Sequence, residues 1–264
     1  KRIFYSYGMA NSFELVGDQE INLMNKKKQY DENGFCILEK VFTDDEANTF
    51  NKYLRRHANK DYAAIINPDR YESLYQQDER HKSDITCEEI EETSSYARSI
   101  LTDKRMKLIL EEIHKSSCVA LSSQFIFKEA KSPYSNQAWR PHQDNFYPKN
   151  KNAGYITLNW FFRSTDVENG TIYCYPGTHK LGLLPAENNI SFREKIGTNP
   201  GSECKIPDEF LDKKTDIILE ANSLVILHGN CIHGSYSNQS NRSRPWFSCC
   251  YMTEGEEFIE GNSS

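Results

Sequence analysis

The 264-residue sequence has no Cys-x-x-Cys pair, no apolar run long enough to cross a bilayer, no basic stripe, no internal repeat and no low-complexity linker. Each absence removes a class of protein. Without paired cysteines there is no zinc-finger or dense disulfide framework, and the eight cysteines, at 36, 87, 118, 174, 204, 231, 249 and 250, read as free thiols of a reducing compartment. A membrane-spanning helix needs about 20 consecutive apolar residues, so no membrane association is expected. A formal net charge of −6 with no basic patch argues against nucleic acid as a partner. The opening KRIFYSYGMA lacks the pattern of a signal peptide, and the expected location is the cytoplasm. Two Asn-x-Ser triplets, Asn238-Gln239-Ser240 and Asn241-Arg242-Ser243, lie close to His233, where glycans would obstruct a site; this too favours the cytoplasm. Oligomeric state has no signature in the chain.

What is present is globular: 38% hydrophobic residues, 12% of all residues aromatic. With no linker, one domain over residues 1–264 is expected. Residues 1–115 read as a mostly helical layer. A charged helix covers Leu23 to Tyr30, followed by Gly34 and a short strand, Phe35 to Leu38. Thr43-Asp44-Asp45-Glu46 is a capping box that starts a helix running to about His57. A further helix is predicted from Ser94 to Glu112. After Lys115 the pattern changes to short strands: Val119–Lys128 with Phe125 and Phe127 on one face, Arg140–Tyr147, Tyr155–Phe162, Thr171–Tyr175, Asp216–Glu220, Leu224–Leu227 and Trp246–Met252. The fold class is therefore mainly β, with a core over residues 116–254 under an α-helical N-terminal layer. The polar stretch 183–213 shows no strand pattern and reads as a lid.

The chemistry concentrates in His142-Gln143-Asp144 and in His233, ninety-one residues later. On a strand, residues two apart share a face, so His142 and Asp144 would point together, and His233 from another strand would complete two imidazoles and one carboxylate. That set leaves coordination positions open and suits non-haem Fe(II). Taken singly, His142 reads as a loop histidine after Pro141, and His233 as a buried, hydrogen-bonded histidine near a strand start. Arg244 stands eleven residues after His233, across a turn that should return the chain beside it as a hairpin, and Arg is suited to bidentate capture of a carboxylate. Arg242 competes for that role.

The motifs YDENGFCILEKVFTDDEA, RPHQDNFYP, ENGTIYCYPGTHKLG and LVILHGNCIHGSYSNQSNRSRPWFSCCY, in this order, resemble those of the phytanoyl-CoA dioxygenase family of Fe(II)/2-oxoglutarate oxygenases. The resemblance covers most of the chain. It implies a double-stranded β-helix core (jelly-roll, cupin-like). His142, Asp144 and His233 match the iron ligands. Arg244 matches the residue that holds the distal carboxylate of the cosubstrate 2-oxoglutarate, with Ser235 as the hydroxyl beside it. Gln143 and Trp160 fall on cosubstrate-pocket positions, and Gln124 and Lys128 lie on the strand before the HQD. Thr157 and Asn159 cannot share a strand face with Trp160.

The expected reaction is hydroxylation of an unactivated C–H bond using O2, with release of succinate and CO2. A mean hydropathy of −0.73 points to a small polar metabolite, with Arg140, Lys128, Asn145, Tyr147 and Arg163 as possible polar contacts. An acyl-CoA substrate, a non-catalytic metal-binding protein of the same fold, and a zinc hydrolase built on His228, His233 and Asp144 are the competing readings.

Overall fold

A computed structural model describes residues 23–56, 65–66, 95–126, 128–131, 135–136, 138–190 and 201–259. In chain order its elements are α1 (Leu23–Asn33), β1 (Phe35–Glu39), α2 (Asp44–Arg56), β2 (Ile65–Ile66), α3 (residues 95–101), α4 (Lys104–Ile109), β3 (Cys118–Ile126), β4 (Tyr155–Phe161), β5 (Ile172–Cys174), β6 (Ala186–Ile190), β7 (Gly201–Cys204), β8 (Thr215–Asp216), β9 (Ser223–His228), β10 (His233–Ser235) and β11 (Trp246–Thr253). Phe127, His57, Cys87 and Ser94, named above, lie outside the described residues.

The predicted capping box forms. The Thr43 backbone N–H donates to Glu46 Oε2 at 2.7 Å and the Glu46 N–H to Thr43 Oγ1 at 3.1 Å. Arg105 then clamps Glu46 with two bonds, of 2.9 and 2.8 Å, and lies over the Phe42 ring at 4.2 Å. The helix expected over 94–112 is broken in two. Asp103 adopts an extended conformation and caps α4 by accepting from the Arg105 N–H at 2.8 Å, so a cap interrupts the apolar pattern. Past Ile109 the helix widens into a π-turn over Leu110–His114. At the end of α1, Gly34 takes φ +82 and its N–H returns to Tyr30 O at 2.8 Å, a left-handed stop that only glycine adopts readily. A Cβ there would stand 2.6 Å from His179 Nδ1.

The large sheet runs β1–β9–β4–β11–β3–β2, antiparallel throughout. Both of its faces are covered, which explains why all seven residues of YITLNWF are buried. Ile156, Leu158 and Trp160 of β4, Leu224 and Ile226 of β9, and Phe247, Cys249 and Tyr251 of β11 pack outward against Phe42, Phe50, Ala97, Met106 and Ile109 of the helical layer. Phe161, Val225, Leu227 and Trp246 point the other way and pack with Ile172, Cys174 and Leu219. Ile172 and Cys174 belong to the second sheet, β10–β5–β8, and Leu219 follows β8 in an isolated bridge to Thr165. The seven described cysteines are all free and buried, as expected.

Two expectations are corrected. The polar segment 183–213 carries strands: β6 and β7 pair antiparallel from Ala186↔Cys204 to Ile190↔Gly201, with a register shift between Ala186 and Asn188, and Asp208–Lys213 forms a 3-10 turn. Here backbone pairing, anchored by the Cys204 N–H on Pro141 O at 2.9 Å, builds structure that side-chain hydrophobicity does not announce. Residues 191–200 lie outside the described set. In addition, β10 and β11 do not form a hairpin. They belong to different sheets, and residues 236–245 carry the chain across from one to the other.

Asn222, in a left-handed conformation (φ 63), ties sheet to helices. Its Nδ2 donates to Phe42 O at 2.7 Å and to Asp44 Oδ1 at 2.9 Å, while its Oδ1 accepts from Trp160 Nε1 at 2.9 Å. Further along β9, His228 lies against Tyr30 and His179, and its Nδ1 accepts from the Asn230 N–H at 3.0 Å. Burial, with His179 and His114 adding to it, pushes His228 down to about 3. An unfolded histidine titrates near ~6.5. The unfolded chain therefore binds this proton first, and stability is lost as pH falls from ~6.5 towards 3, with no contribution above. The melting temperature should drop between pH 7.5 and 5, and His228→Asn, which keeps an acceptor for Asn230, should flatten that slope. An unchanged slope would show that the histidine does not set it.

Candidate metal centre

Two backbone hydrogen bonds set the centre. The His142 N–H donates to His233 O at 2.9 Å and the His233 N–H to His142 O at 3.0 Å, an isolated antiparallel bridge on the free edge of β10. Directly opposed residues put their side chains close together, and the two imidazole centroids are 4.3 Å apart. The predicted strand Arg140–Tyr147 reduces to this bridge. At Asp144 the chain turns into a 3-10 turn, Asp144–Phe146, which brings the carboxylate back towards the rings. Asp144 Oδ1 is 3.5 Å from both His142 Nε2 and His233 Nε2. The three ligand atoms all lie within 4.8 Å of one another, and no other such group occurs among the described residues.

The tautomers are set by backbone carbonyls. His142 Nδ1 donates to Arg140 O at 2.6 Å and His233 Nδ1 to Cys231 O at 3.0 Å, which leaves both Nε2 lone pairs facing Asp144. Burial pushes His233 down to about 4, against the pull of Asp144, so it stays neutral and able to ligate near neutral pH. Burial alone would raise the Asp144 carboxyl; His233, His142 and the Thr157 hydroxyl outweigh it and hold the group below its usual range. Thr157 donates to Asp144 Oδ2 at 3.4 Å and itself accepts from Asn159 Nδ2 at 3.0 Å. Two imidazoles that present Nε2 and one carboxylate suit a divalent first-row metal with open positions.

Of the expected cosubstrate residues, Ser235 and Arg244 are both buried, Ser235 on the strand that carries His233. Ser235 is two residues along β10 from His233. Arg244 is fully buried between the sheets, 3.9 Å from the Trp246 ring centroid, and no guanidinium nitrogen has a hydrogen-bond partner among the described residues. Arg242, the competitor, turns outward and pairs with Asp166 at 2.6 Å. Gln124 lies on the same sheet face, in register through Ser248 with Asn159.

Gln143 and Trp160 are corrected. Gln143 points away from the ligands and spends its amide on Gly182 O (2.8 Å), Asn230 O (2.7 Å) and the Leu184 N–H (2.7 Å), strapping two loops around the centre. Trp160 is on the opposite face of β4, stacked on Phe42 at 4.1 Å in the helix-facing core. Strand alternation decides this: once Thr157 reaches Asp144, Trp160 must face outward. Asn145, considered as a substrate contact, is buried and bonded to Asn150 and Asn230. His228 lies among Tyr30 and His179 rather than with the ligands, which removes the zinc-hydrolase arrangement. The sequence reading missed Asn230, which accepts from Asn145 and holds Gln143; an asparagine between His228 and Cys231 carries no signal by itself.

The sequence profile of phytanoyl-CoA dioxygenase (PhyH) matches residues 30–246. The chain belongs to the phytanoyl-CoA dioxygenase family. Within it, a phytanoyl-CoA dioxygenase of Arabidopsis thaliana is 31% identical over 138 residues, 49% of this chain and 43% of that protein. The peroxisomal phytanoyl-CoA dioxygenase of Rattus norvegicus is 23% identical over 257 residues, 94% of this chain and 73% of that one. This chain thus spans less than half the length of the Arabidopsis relative. The phytanoyl-CoA dioxygenase fold is also that of SnoN, a non-haem epimerase solved with Fe3+ and alpha-ketoglutarate (TM-score 0.67, 16% identity, 92% of this chain and 87% of that one). It is shared by the alpha-ketoglutarate-dependent carbocyclase SnoK (TM-score 0.60, 18% identity, 90% and 86%). No helix among the described residues of this family member is long and apolar enough to cross a membrane.

The relocation of Trp160 has a measurable consequence. Trp160→Phe removes the indole N–H and leaves Asn222 Oδ1 without that donor, which should cost about 1–3 kcal/mol in denaturant unfolding. Metal affinity, read by titration with Co(II), should stay at the wild-type value; a matching loss of metal affinity would return Trp160 to the pocket.

Proposed function

We propose that this chain is an Fe(II)- and 2-oxoglutarate-dependent dioxygenase that hydroxylates an unactivated C–H bond of a small, polar metabolite, with release of succinate and CO2. The observation that carries it is the pairing of the His142–Asp144–His233 set with a buried, unpartnered Arg244. Taking a guanidinium out of water without a partner costs several kcal/mol, so an orphan of this kind is best explained by an anion that arrives with function. A metal-binding protein without turnover gains nothing from such a group.

The residues divide the work. His142 and His233 present Nε2 because backbone carbonyls hold their Nδ1 protons, and Asp144 supplies an anionic oxygen steadied by Thr157. Gln143 keeps the loops at Gly182 and Asn230 in place around them. Arg244 and Ser235 receive the distal carboxylate of 2-oxoglutarate, which fixes the orientation of its keto-acid end towards the ligands. Phe161, Ile172, Leu227 and Trp246 keep water from the space between the sheets. Iron(II) and 2-oxoglutarate, when bound, supply the oxidising power: one atom of O2 enters succinate as CO2 leaves, and the other enters the substrate C–H bond.

Polarity of the substrate is supported by the sheet face beside Asp144, where Thr157, Asn159, Ser248 and Gln124 follow one another in register. Arg140, whose carbonyl holds His142, pairs its guanidinium with Glu203 at 2.7 Å and adds two half-buried charges nearby. An acyl-CoA substrate is the second reading, favoured by the activity that the relatives' names carry.

The test is substrate-stimulated succinate release, with one panel of polar metabolites and one of acyl-CoAs, followed by product mass. Stimulation by the polar panel with a gain of one oxygen atom is expected; stimulation by acyl-CoAs alone would replace the substrate assignment. Asp144→Ala should lower coupled turnover by more than about 100-fold, beyond the loss usual for a residue that only supports a ligand. Wild-type coupling in that variant would overturn the assignment of the centre.

A further inference from the structure

The carboxylate of Asp144 sits at a bend. The chain is extended at Gln143 (φ −117, ψ 127) and enters the 3-10 turn at Asp144. The hydrogen bond from the Thr157 hydroxyl is long, 3.4 Å, and restrains the carboxylate weakly. A side chain at such a bend keeps its aim only if the residues on both sides are fixed. Both are, and to the same short turn. The Asn145 N–H donates to Gly229 O at 2.9 Å, Asn145 Nδ2 to Asn230 Oδ1 at 2.8 Å, and Gln143 Nε2 to Asn230 O at 2.7 Å. Asn230 thus receives the side chains of both neighbours of Asp144, one on its side-chain oxygen and one on its backbone oxygen. All three residues are at most 3% exposed, so water does not compete for these bonds.

The turn that carries Asn230 is closed from within. The Cys231 N–H donates to His228 O at 2.8 Å, and the Asn230 N–H to His228 Nδ1 at 3.0 Å. Burial keeps the His228 ring neutral, and an accepting Nδ1 leaves the ring proton on Nε2. The ring packs against Tyr30 of α1 and His179, and the His228 backbone N–H donates to Gly34 O at 2.9 Å. Gly229 has no room for a side chain. Its N–H donates to Tyr155 O at 2.8 Å, and a Cβ would stand 2.6 Å from that same oxygen. The turn is therefore pressed against β4, the strand that supplies Thr157. On its other side Asn145 donates to Asn150 O and accepts from the Asn150 N–H, each at 2.9 Å, which keeps its amide facing Asn230.

We infer that Asn230 is a positioning residue of the metal centre: through Gln143 and Asn145 it fixes both sides of Asp144, and His228 holds it in place. The inference rests on the metal-centre reading above, and neither Asn230 nor His228 belongs to the ligand set. A carboxylate already aimed at the two imidazoles needs no ordering when an ion arrives; once the hold is removed, the ion must order it, and binding weakens.

The test reads metal binding by the full chain, without turnover. Wild type, Asn230→Ala, Asn145→Ala, the double variant of these two, His228→Leu and His228→Asn are titrated with Co(II) by its visible absorption. Apo-protein melting temperatures are recorded alongside. Asn230→Ala and His228→Leu should each bind Co(II) about 10- to 100-fold more weakly, the loss usual when a group that supports a ligand is removed, and with shifted absorption bands. His228→Asn, which keeps an acceptor for the Asn230 N–H, should bind as wild type does. The double variant should lose less than the two single variants added together, because both remove one shared bond. Wild-type affinity and spectrum in Asn230→Ala, with only the melting temperature lowered, would mark a purely structural residue and overturn the inference. Additive losses in the double variant would overturn it too, and equal losses in the two His228 variants would overturn the part given to His228. Absence of a Co(II) complex in wild type would overturn the metal centre itself. Should Asn230→Ala not fold, Asn145→Ala removes the same bond from its other end, and wild-type affinity there would overturn the inference.

Discussion

The reciprocal backbone bonds between His142 and His233 are the constraint on which the rest depends. They do three things at once. They place two imidazoles side by side, they set the register of the segment before Asp144, and they extend the small sheet beyond β10. The residue before His142 then receives β7 through Pro141 O, so the β6–β7 hairpin hangs on the same edge. A slip of one residue would turn His142 away and put Gln143 in its place. The straps from Gln143 to Gly182, Asn230 and Leu184 oppose such a slip, because its amide fits only on the far side of the chain.

Around this bridge the large sheet acts as a wall with two different faces. Its outward face is apolar and is closed by the helical layer, where Trp160, Phe42 and Phe50 stack. The inward face is apolar at one end, where Phe161 and Trp246 pack against the second sheet, and polar at the other, where Thr157 and Asn159 reach Asp144. Rigid packing on one face lets the other hold polar groups in fixed places. The buried cations Arg244 and Lys128 sit near the apolar end, where lack of water strengthens their demand for an anion.

Several features were legible in the sequence because they depend on neighbours along the chain. The capping box of α2 needs only Thr43 and Glu46, three residues apart, and formed as predicted. The strand YITLNWFF was legible from composition, and the ordered motifs pointed to the fold and to the family. Other features were hidden because they depend on which chain segments meet. The β6–β7 strands are polar and held by backbone bonds. The break at Asp103 turns on a cap that a helical pattern conceals. Trp160 was assigned to the pocket by resemblance, yet alternation along β4 sends it to the helices.

By itself, the sequence determined the apolar strands and the capped helix, the residues able to ligate a metal and the family, because local periodicity and ordered motifs survive without three-dimensional context. Tertiary structure alone decided that β10 and β11 part into different sheets, that Arg244 rather than Arg242 turns inward, and that Lys128 is buried beside it. Those outcomes follow from which strand edges pair and which faces are covered. A one-dimensional pattern gives the parity of a side chain along its strand, but the partner across the gap fixes which parity faces the site.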